Sequence, residues 1–268
     1  MSILVLPLAI ALLGAPQDAP SSAPVAATAA TAVDPASREL MEQVWRRYRR
    51  IASAAVTATG SRTFANGRVA PVRTRSMIAP TGEAKVVGSS YNLTLKDGVA
   101  YADSPFYAGM QIRVKVGTGT DAALTALADA WPEAMVPLAV RLRLATSPEA
   151  AFGPWVAMAG DTPRLEAQAG VWSDGRACEI LRIRSADDAT DLAIWVDQLT
   201  GFVRGIRGSI MAMNGEPAST IELVHETTET ERPPMIAVAN RGVRPVDSYD
   251  ALLRAWREIY AVPVAPGQ

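Results

Sequence analysis

The chain has 268 residues, 49% of them hydrophobic and 20% charged, with a formal net charge of −1. That composition describes a globular body with enough apolar material for one large domain or two small ones. It excludes a nucleic-acid binder held by general positive charge, and the single cysteine, Cys178, excludes an internal disulfide.

Met1 to Gly14 is apolar and leads into Ala15-Pro16. About twelve apolar residues fall short of the roughly twenty that cross a bilayer, but they suit the hydrophobic stretch of a secretory signal. Residues 1–15 are therefore expected to be a signal peptide. This predicts a periplasmic or otherwise exported protein with no integral membrane span in the mature chain. No cysteine follows the apolar run, so attachment through a lipidated N-terminal cysteine is not expected. Residues 16–34 are mostly Ala, Pro, Ser and Thr and bury too little to order themselves, so they read as a disordered linker.

Asp34-Pro35 is a helix entry, a capping side chain followed by proline at the first helical position. Leu40, Val44, Tyr48, Ile51 and Ala55 then recur at helical spacing, with Arg46, Arg49 and Arg50 on the other side. The cluster from Trp45 to Arg50 reads as a solvated helix face, with an anionic-lipid or nucleic-acid patch as the alternative. Around Gly60 the pattern shifts to strands: Val56–Thr59 and Arg62–Phe64, a turn at Asn66-Gly67, then Val69–Ile78. Lys85–Val87, Tyr91–Leu95, a turn at Asp97-Gly98, Val99–Tyr101 and Gln111–Val116 follow.

Strand signals stop at Asp121. One amphipathic helix carries Leu124, Leu127 and Trp131, and a shorter apolar helix or turn follows the breaks at Pro132 and Pro137. A loop is expected through Pro148 and Pro154. An apolar insertion inside a meander covers one face of its sheet. A second meander runs from Leu165 to Met213, with turns at Asp174-Gly175, at the acidic cluster 187–191 and at Leu199–Gly201. Connections this short join antiparallel neighbours. Ser219–His225 adds a last strand, and Glu226–Glu231 reads as a charged strand end that resists edge pairing. A short tail helix spans Ser248–Tyr260.

Catalytic devices are scarce. His225 is the only histidine, and no Gly-x-Ser-x-Gly elbow accompanies it. Cys178 sits in a strand beside Ile180 and reads as a buried small apolar residue rather than the partner of His225. One His and one Cys do not make a metal site. Asp187, Asp188 and Asp191 lack the glycine and closing glutamate of a calcium loop and read as a polar turn. No phosphate-cradling glycine motif is present. The residues point to a protein with no catalytic side chains, no metal and no cofactor.

Three stretches carry a resemblance. Asp121–Asp129 followed by Pro137-Leu138, Ser173–Leu181 including Cys178, and Ile194–Asp197 with Gly201–Arg204 together resemble the LolA/LppX-like half-barrel superfamily of periplasmic proteins, and most closely its DUF2092-type branch. Two departures are visible: Phe202-Val203 replaces a proline before the basic pair, and Lys96–Gly98 only loosely echoes a Tyr-Asp-Gly element. The resemblance implies an α+β fold, a strongly curved antiparallel sheet with helices covering its concave face. It also implies that the concave face holds an acyl chain or another hydrophobic ligand.

On that reading the half-barrel domain spans 35–232 and a C-terminal tail with a short helix spans 233–268. The expected function is an exported, non-catalytic lipid or hydrophobic-ligand binding or carrier protein of the cell envelope. The residues expected to line the cavity are Leu124, Leu127, Trp131, Met135, Leu138, Trp155 and Trp195. A lipid or acyl chain and an envelope protein are the candidate partners; nucleic acid is not. Two alternatives stand beside it: a protein-interaction or envelope-stress sensor module with a filled core, and, further off, an envelope hydrolase.

Overall fold

A computed structural model describes residues 32–132, 135–212, 217–238 and 242–260. The expected signal peptide and nearly all of the expected linker lie outside them. A two-residue strand, β1 (Ala32–Val33), precedes helix α1 (Pro35–Arg50). A first meander follows: β2 (Ala54–Phe64), β3 (Val69–Ile78), β4 (Ala84–Gly88), β5 (Asn92–Lys96), β6 (Val99–Asp103) and β7 (Met110–Lys115). Three helices come next, α2 (Ala122–Ala130), α3 (Leu138–Leu144) and α4 (Pro148–Ala157). The second meander is β8 (Arg164–Val171), β9 (Ala177–Arg184), β10 (Asp191–Asp197), β11 (Val203–Ile210) and β12 (Ser219–Glu229). Strand β13 (Arg244–Val246) and helix α5 (Tyr249–Tyr260) end the described chain.

Among the described residues all thirteen strands belong to one sheet, in the order β1-β8-β9-β10-β11-β12-β2-β3-β4-β5-β6-β7-β13. Its neighbours are antiparallel except at the two edges, where β1 runs parallel to β8 and β13 parallel to β7. The two meanders meet at the centre, where β12 pairs with β2 from Ser219↔Phe64 to Glu229↔Ala54. The fold class is α+β, a curved, unclosed antiparallel sheet with helices over one face. Turn chemistry fixes much of the register. Asp97 and Gly98 both take left-handed backbone, at φ 50° and 71°, as a two-residue hairpin between right-twisted strands requires.

The bend has a local cause. A Cβ on Gly60 of β2 would lie 1.9 Å from the carbonyl oxygen of Glu222, and one on Gly208 of β11 would lie 1.9 Å from that of Asp191. Both strands approach a neighbour more closely than any side chain allows, and glycines of this kind let a sheet fold over on itself. The sequence pattern divides the chain into two short strands at Gly60, yet β2 runs straight through it.

Several elements differ from expectation. The stretch from Pro148 through Pro154 is helix α4, not a loop. Ser147 caps it by accepting from the Ala150 N–H at 3.2 Å, and Pro148 stands at its start. Pro154 has no N–H to give the Ala150 carbonyl one turn back. Arg141 of α3 supplies the missing donor, its Nη2 reaching Ala150 O and its Nε reaching Ala151 O at 2.9 Å. The acidic run at Glu226 does lie at a strand end open on one side: pairing with β11 stops at Val224, and from there to Glu229 β12 pairs with β2 alone, with Glu226 exposed to solvent. The sheet also extends past both expected domain limits, because Ala32–Val33 and Arg244–Val246 each add an edge strand.

The core lies between the concave face and the helices. Helix α1 buries Leu40, Met41, Val44 and Tyr48, packing on α3, α4, β8 and β9. Helix α2 lies over β5, β6 and β7. Helix α5 buries Leu252 and Ala255 and is drawn in by a ring cluster. Tyr107 meets Trp256 edge-on at 5.5 Å, and Trp131 meets Tyr249 at 5.0 Å. Among the described residues no helix is long and apolar enough to cross a membrane.

Candidate ligand-binding site

Alternation along the central strands sets the floor of a cavity of about 210 Å³. In β12 the side chains of Ile221, Leu223 and His225 share the inward face. Across the sheet His225 lies opposite Ala58 of β2, and Ala58 lies opposite Thr74 of β3. One rung along, Val56 faces Ser76, and one rung the other way Gly60 sits between Leu223 and Val72. Ile210 at the end of β11 completes the floor.

The roof comes from the helical insertion. Met135, Pro137, Leu138 and Ala139, together with Trp155 and Met158, line the cavity from that insertion, and Tyr91 lines it as well. The roof is fastened to the floor through one buried residue. Thr190 Oγ1 donates to the Met158 carbonyl at 3.0 Å and accepts from the Met211 N–H at 3.1 Å. It thereby joins the C-terminus of α4 to the end of β11. Trp45 of α1 holds the end of α3, its Nε1 donating to Ala145 O at 3.1 Å.

Polar groups in the lining are few. Arg62 is its one cation among the described residues; Nε donates to Ser219 Oγ at 2.9 Å, and the guanidinium lies 4.8 Å above the Phe64 ring. His225 is 7% exposed, and burial pushes its pKa down to about 4, so the ring is neutral at pH 7. Its Nδ1 and the Trp155 Nε1 are both enclosed without a hydrogen-bond partner. Burial also raises the Tyr91 hydroxyl above its ordinary value. Thr74 and Ser76 add two neutral hydroxyls.

Of the residues expected at the site, the structure places Met135, Leu138 and Trp155 in the cavity wall. Leu124 and Leu127 are buried beneath α2 at the other end of the hollow. Trp131 belongs to the ring cluster, 6.3 Å from Tyr91 and 6.0 Å from Tyr107. These three fill space rather than border it. Trp195 is on the opposite face of the sheet. In β10 the inward residues are Leu192, Ile194 and Val196, all buried, so Trp195 points outward. It meets Trp172 edge-on at 5.4 Å and covers Gly170, where a Cβ would come within 3.0 Å of its ring. The apolar run Ile194-Trp195-Val196 hides the two-residue alternation that decides the face.

The floor residues are not readable from the sequence, because His225, Ala58 and Thr74 become neighbours only when the two meanders join. One signal is available: Ile221, Leu223 and His225 alternate along one strand, so the histidine shares their face. The pair of Cys178 and His225 does not form. Cys178 is fully buried on β9, three strands from β12 in the sheet, or about 14 Å at the usual strand spacing. The three aspartates of the polar turn are also spoken for. Asp187 accepts from Ser185 Oγ at 2.6 Å, Asp188 pairs with Arg164, and Asp191 with Arg182. Among the described residues no three His, Cys, Asp or Glu side chains gather as metal ligands do.

No family model matches the chain, and no curated protein matches it. Solved structures with a similar course of chain do exist. One is an uncharacterized conserved protein from Thermus thermophilus, at 9% identity and TM-score 0.45, covering 79% of this chain and 99% of that one. Another is LprF from Mycobacterium bovis, at 11% identity and TM-score 0.38, covering 76% and 99%. A third is a LolA superfamily protein from Nitrosomonas europaea, at 11% identity and TM-score 0.30, covering 74% and 94%. The similarity is one of chain course and assigns no ligand; the cavity is read from its own walls.

Proposed function

We propose that the chain is an exported, non-catalytic protein that binds a compact hydrophobic ligand between its curved sheet and the α3–α4 roof. The observation that carries this reading is the cavity itself. About 210 Å³ of space is bordered by Val56, Val72, Leu138, Trp155, Ile221 and Leu223. Empty apolar space forfeits packing contacts, so a fold retains it at a cost unless a guest restores them.

Size narrows the guest. Ligand pockets usually run from about 300 to 1,000 Å³, and an apolar cavity of about 150 Å³ takes benzene. The space here suits roughly six to eight carbons. Six buried methylenes at about 0.8 kcal/mol each contribute about 5 kcal/mol, which corresponds to sub-millimolar binding. A long acyl chain enters only if the roof lifts or if part of the chain stays outside. Neither His225 nor Cys178 has a partner that would activate it, which supports a binding role over a hydrolytic one.

Native mass spectrometry of protein purified without detergent, together with titration by alcohols and acids of about six to eight carbons, tests the reading. A co-purifying small amphiphile, or saturable binding of any of the probes, is the expected result. Binding of none of them would move the assignment to an envelope protein-interaction module. That second reading is favoured by the way Leu124, Leu127 and Trp131 already fill the far end of the hollow.

A further inference from the structure

The cavity has one wall that its apolar lining does not explain. In β12 the inward positions run Ile221, Leu223, His225, and the third breaks an apolar series with an imidazole that is 7% exposed. Its Nδ1 is enclosed without a partner, and so is Nε1 of Trp155, which lines the same cavity from the roof. A buried polar atom left unpaired is unfavourable, and each one in a folded protein calls for a reason. The residue opposite His225 is Ala58, which leaves open space beside the ring, and beyond Ala58 comes the hydroxyl of Thr74.

Charge is absent from this end. The cavity residues nearest His225 in the sheet register are Ala58 and Val56 of β2, Thr74 and Ser76 of β3 and Leu223 of β12, and Trp155 and Met158 of the roof line the same cavity. Arg62 lies four residues further along β2 than Ala58, about 13 Å at the rise of a strand. It is held there against Ser219 and Phe64. A carboxylate placed at His225 would lose its water with no cation in reach, which a low-dielectric site does not tolerate. A neutral imidazole offers one N–H and one lone pair, a match for an oxygen that both donates and accepts.

We propose that the cavity selects guests bearing one uncharged hydroxyl, that of an alcohol or of a carboxylic acid in its protonated form, set against His225 with the alkyl part under Trp155 and Met158. This rests on the binding reading above and specifies its ligand class. The acid is taken up as the neutral molecule, so its carboxyl proton travels with it into the cavity.

Equilibrium dialysis of the full chain against hexan-1-ol, hexane and hexanoate tests the inference, with His225→Leu and His225→Gln alongside the unaltered protein and circular dichroism to confirm folding. The unaltered protein should hold hexan-1-ol about tenfold more tightly than hexane, the worth of one buried hydrogen bond. His225→Leu should bring that ratio to about one while keeping hexane, and His225→Gln should keep part of it. Hexanoate binding should weaken about tenfold for each pH unit above its own pKa. An alcohol preference unchanged in folded His225→Leu and His225→Gln would overturn the proposal. So would hexanoate binding equally well in mildly acidic and mildly alkaline buffer, which would place an anion at Arg62. Failure of the unaltered protein to bind any of the three probes would remove the binding reading itself, a separable result.

Discussion

Replacing Thr190 by valine probes the fastening between roof and floor. The residue is fully buried, and its hydroxyl serves two backbone groups at once, the Met158 carbonyl at 3.0 Å and the Met211 N–H at 3.1 Å. Valine keeps the shape and removes both bonds, so the exchange is not the neutral one that volume alone suggests. Each bond has a net worth of about 1 kcal/mol, and each orphaned group adds a desolvation penalty of about 1–3 kcal/mol if nothing replaces its partner. Partial relaxation at the end of α4 offsets some of this, leaving about 2–4 kcal/mol of expected destabilisation. For a domain of this size that is a fall in Tm of roughly 4–16 °C. Urea denaturation followed by circular dichroism measures the first figure. Hydrogen exchange should show the extra opening concentrated in α4 rather than spread through the sheet. A loss below about 0.5 kcal/mol, or faster exchange everywhere but α4, would refute the idea that one side chain ties the cavity's two walls together.

Three further outcomes are expected. The folded pKa of His225 is about 4 against 6.5 for the free side chain, so between those values the unfolded chain binds the extra proton. Stability should therefore fall as pH drops through this window, by up to about 3 kcal/mol, and urea midpoints should show the slope vanish in His225→Leu. Gly208→Ala places a methyl group 1.9 Å from Asp191 O at φ 144°, so the strand must move apart from its neighbour. Chemical denaturation should report a loss of about 3 kcal/mol or more, and a loss under about 1 kcal/mol would mean that the bend does not depend on this contact. Arg141→Met keeps the apolar stem but abandons the Ala150 and Ala151 carbonyls. It should cost about 1–3 kcal/mol in urea and raise amide exchange within α4 selectively.

How much of the fold is legible in the sequence depends on the distance over which each feature is determined. The hairpins at Asn66-Gly67 and Asp97-Gly98 are readable because the left-handed backbone taken by Gly67 (φ 81°), Asp97 and Gly98 is a preference of those residue types themselves. The entry of α1 is readable from Pro35 at its first position, although the Asp34 side chain makes no capping hydrogen bond. Helix α4 is not, since Pro154 argues locally for a break and the repair comes from Arg141 on another helix. The outward face of Trp195 is hidden by apolar neighbours on both sides. Strand β13 is hidden by its brevity and by Pro245, an edge residue that the sequence pattern treats as loop.

The division between filled and open interior has a similar origin. Residues up to Trp131 travel with α2, which lies over β5, β6 and β7, and there Trp131 packs among Tyr91, Tyr107 and Tyr249. From Met135 onward the chain travels with α3, which lies over β3 instead. The break bounded by Pro132 and Pro137 is therefore where the helical cover passes from the β5–β7 end of the sheet toward its centre. Apolar residues before it act as stuffing and apolar residues after it act as wall, although their side chains are of the same kind. Hydrophobicity along 121–160 marks the segment as a cover for the sheet. What separates a ligand wall from a core is which strands lie beneath it, β12, β2 and β3 under the cavity and β5, β6 and β7 under α2. A protein of this design can enlarge or close its cavity by changing floor residues such as Ala58, with the roof left as it is.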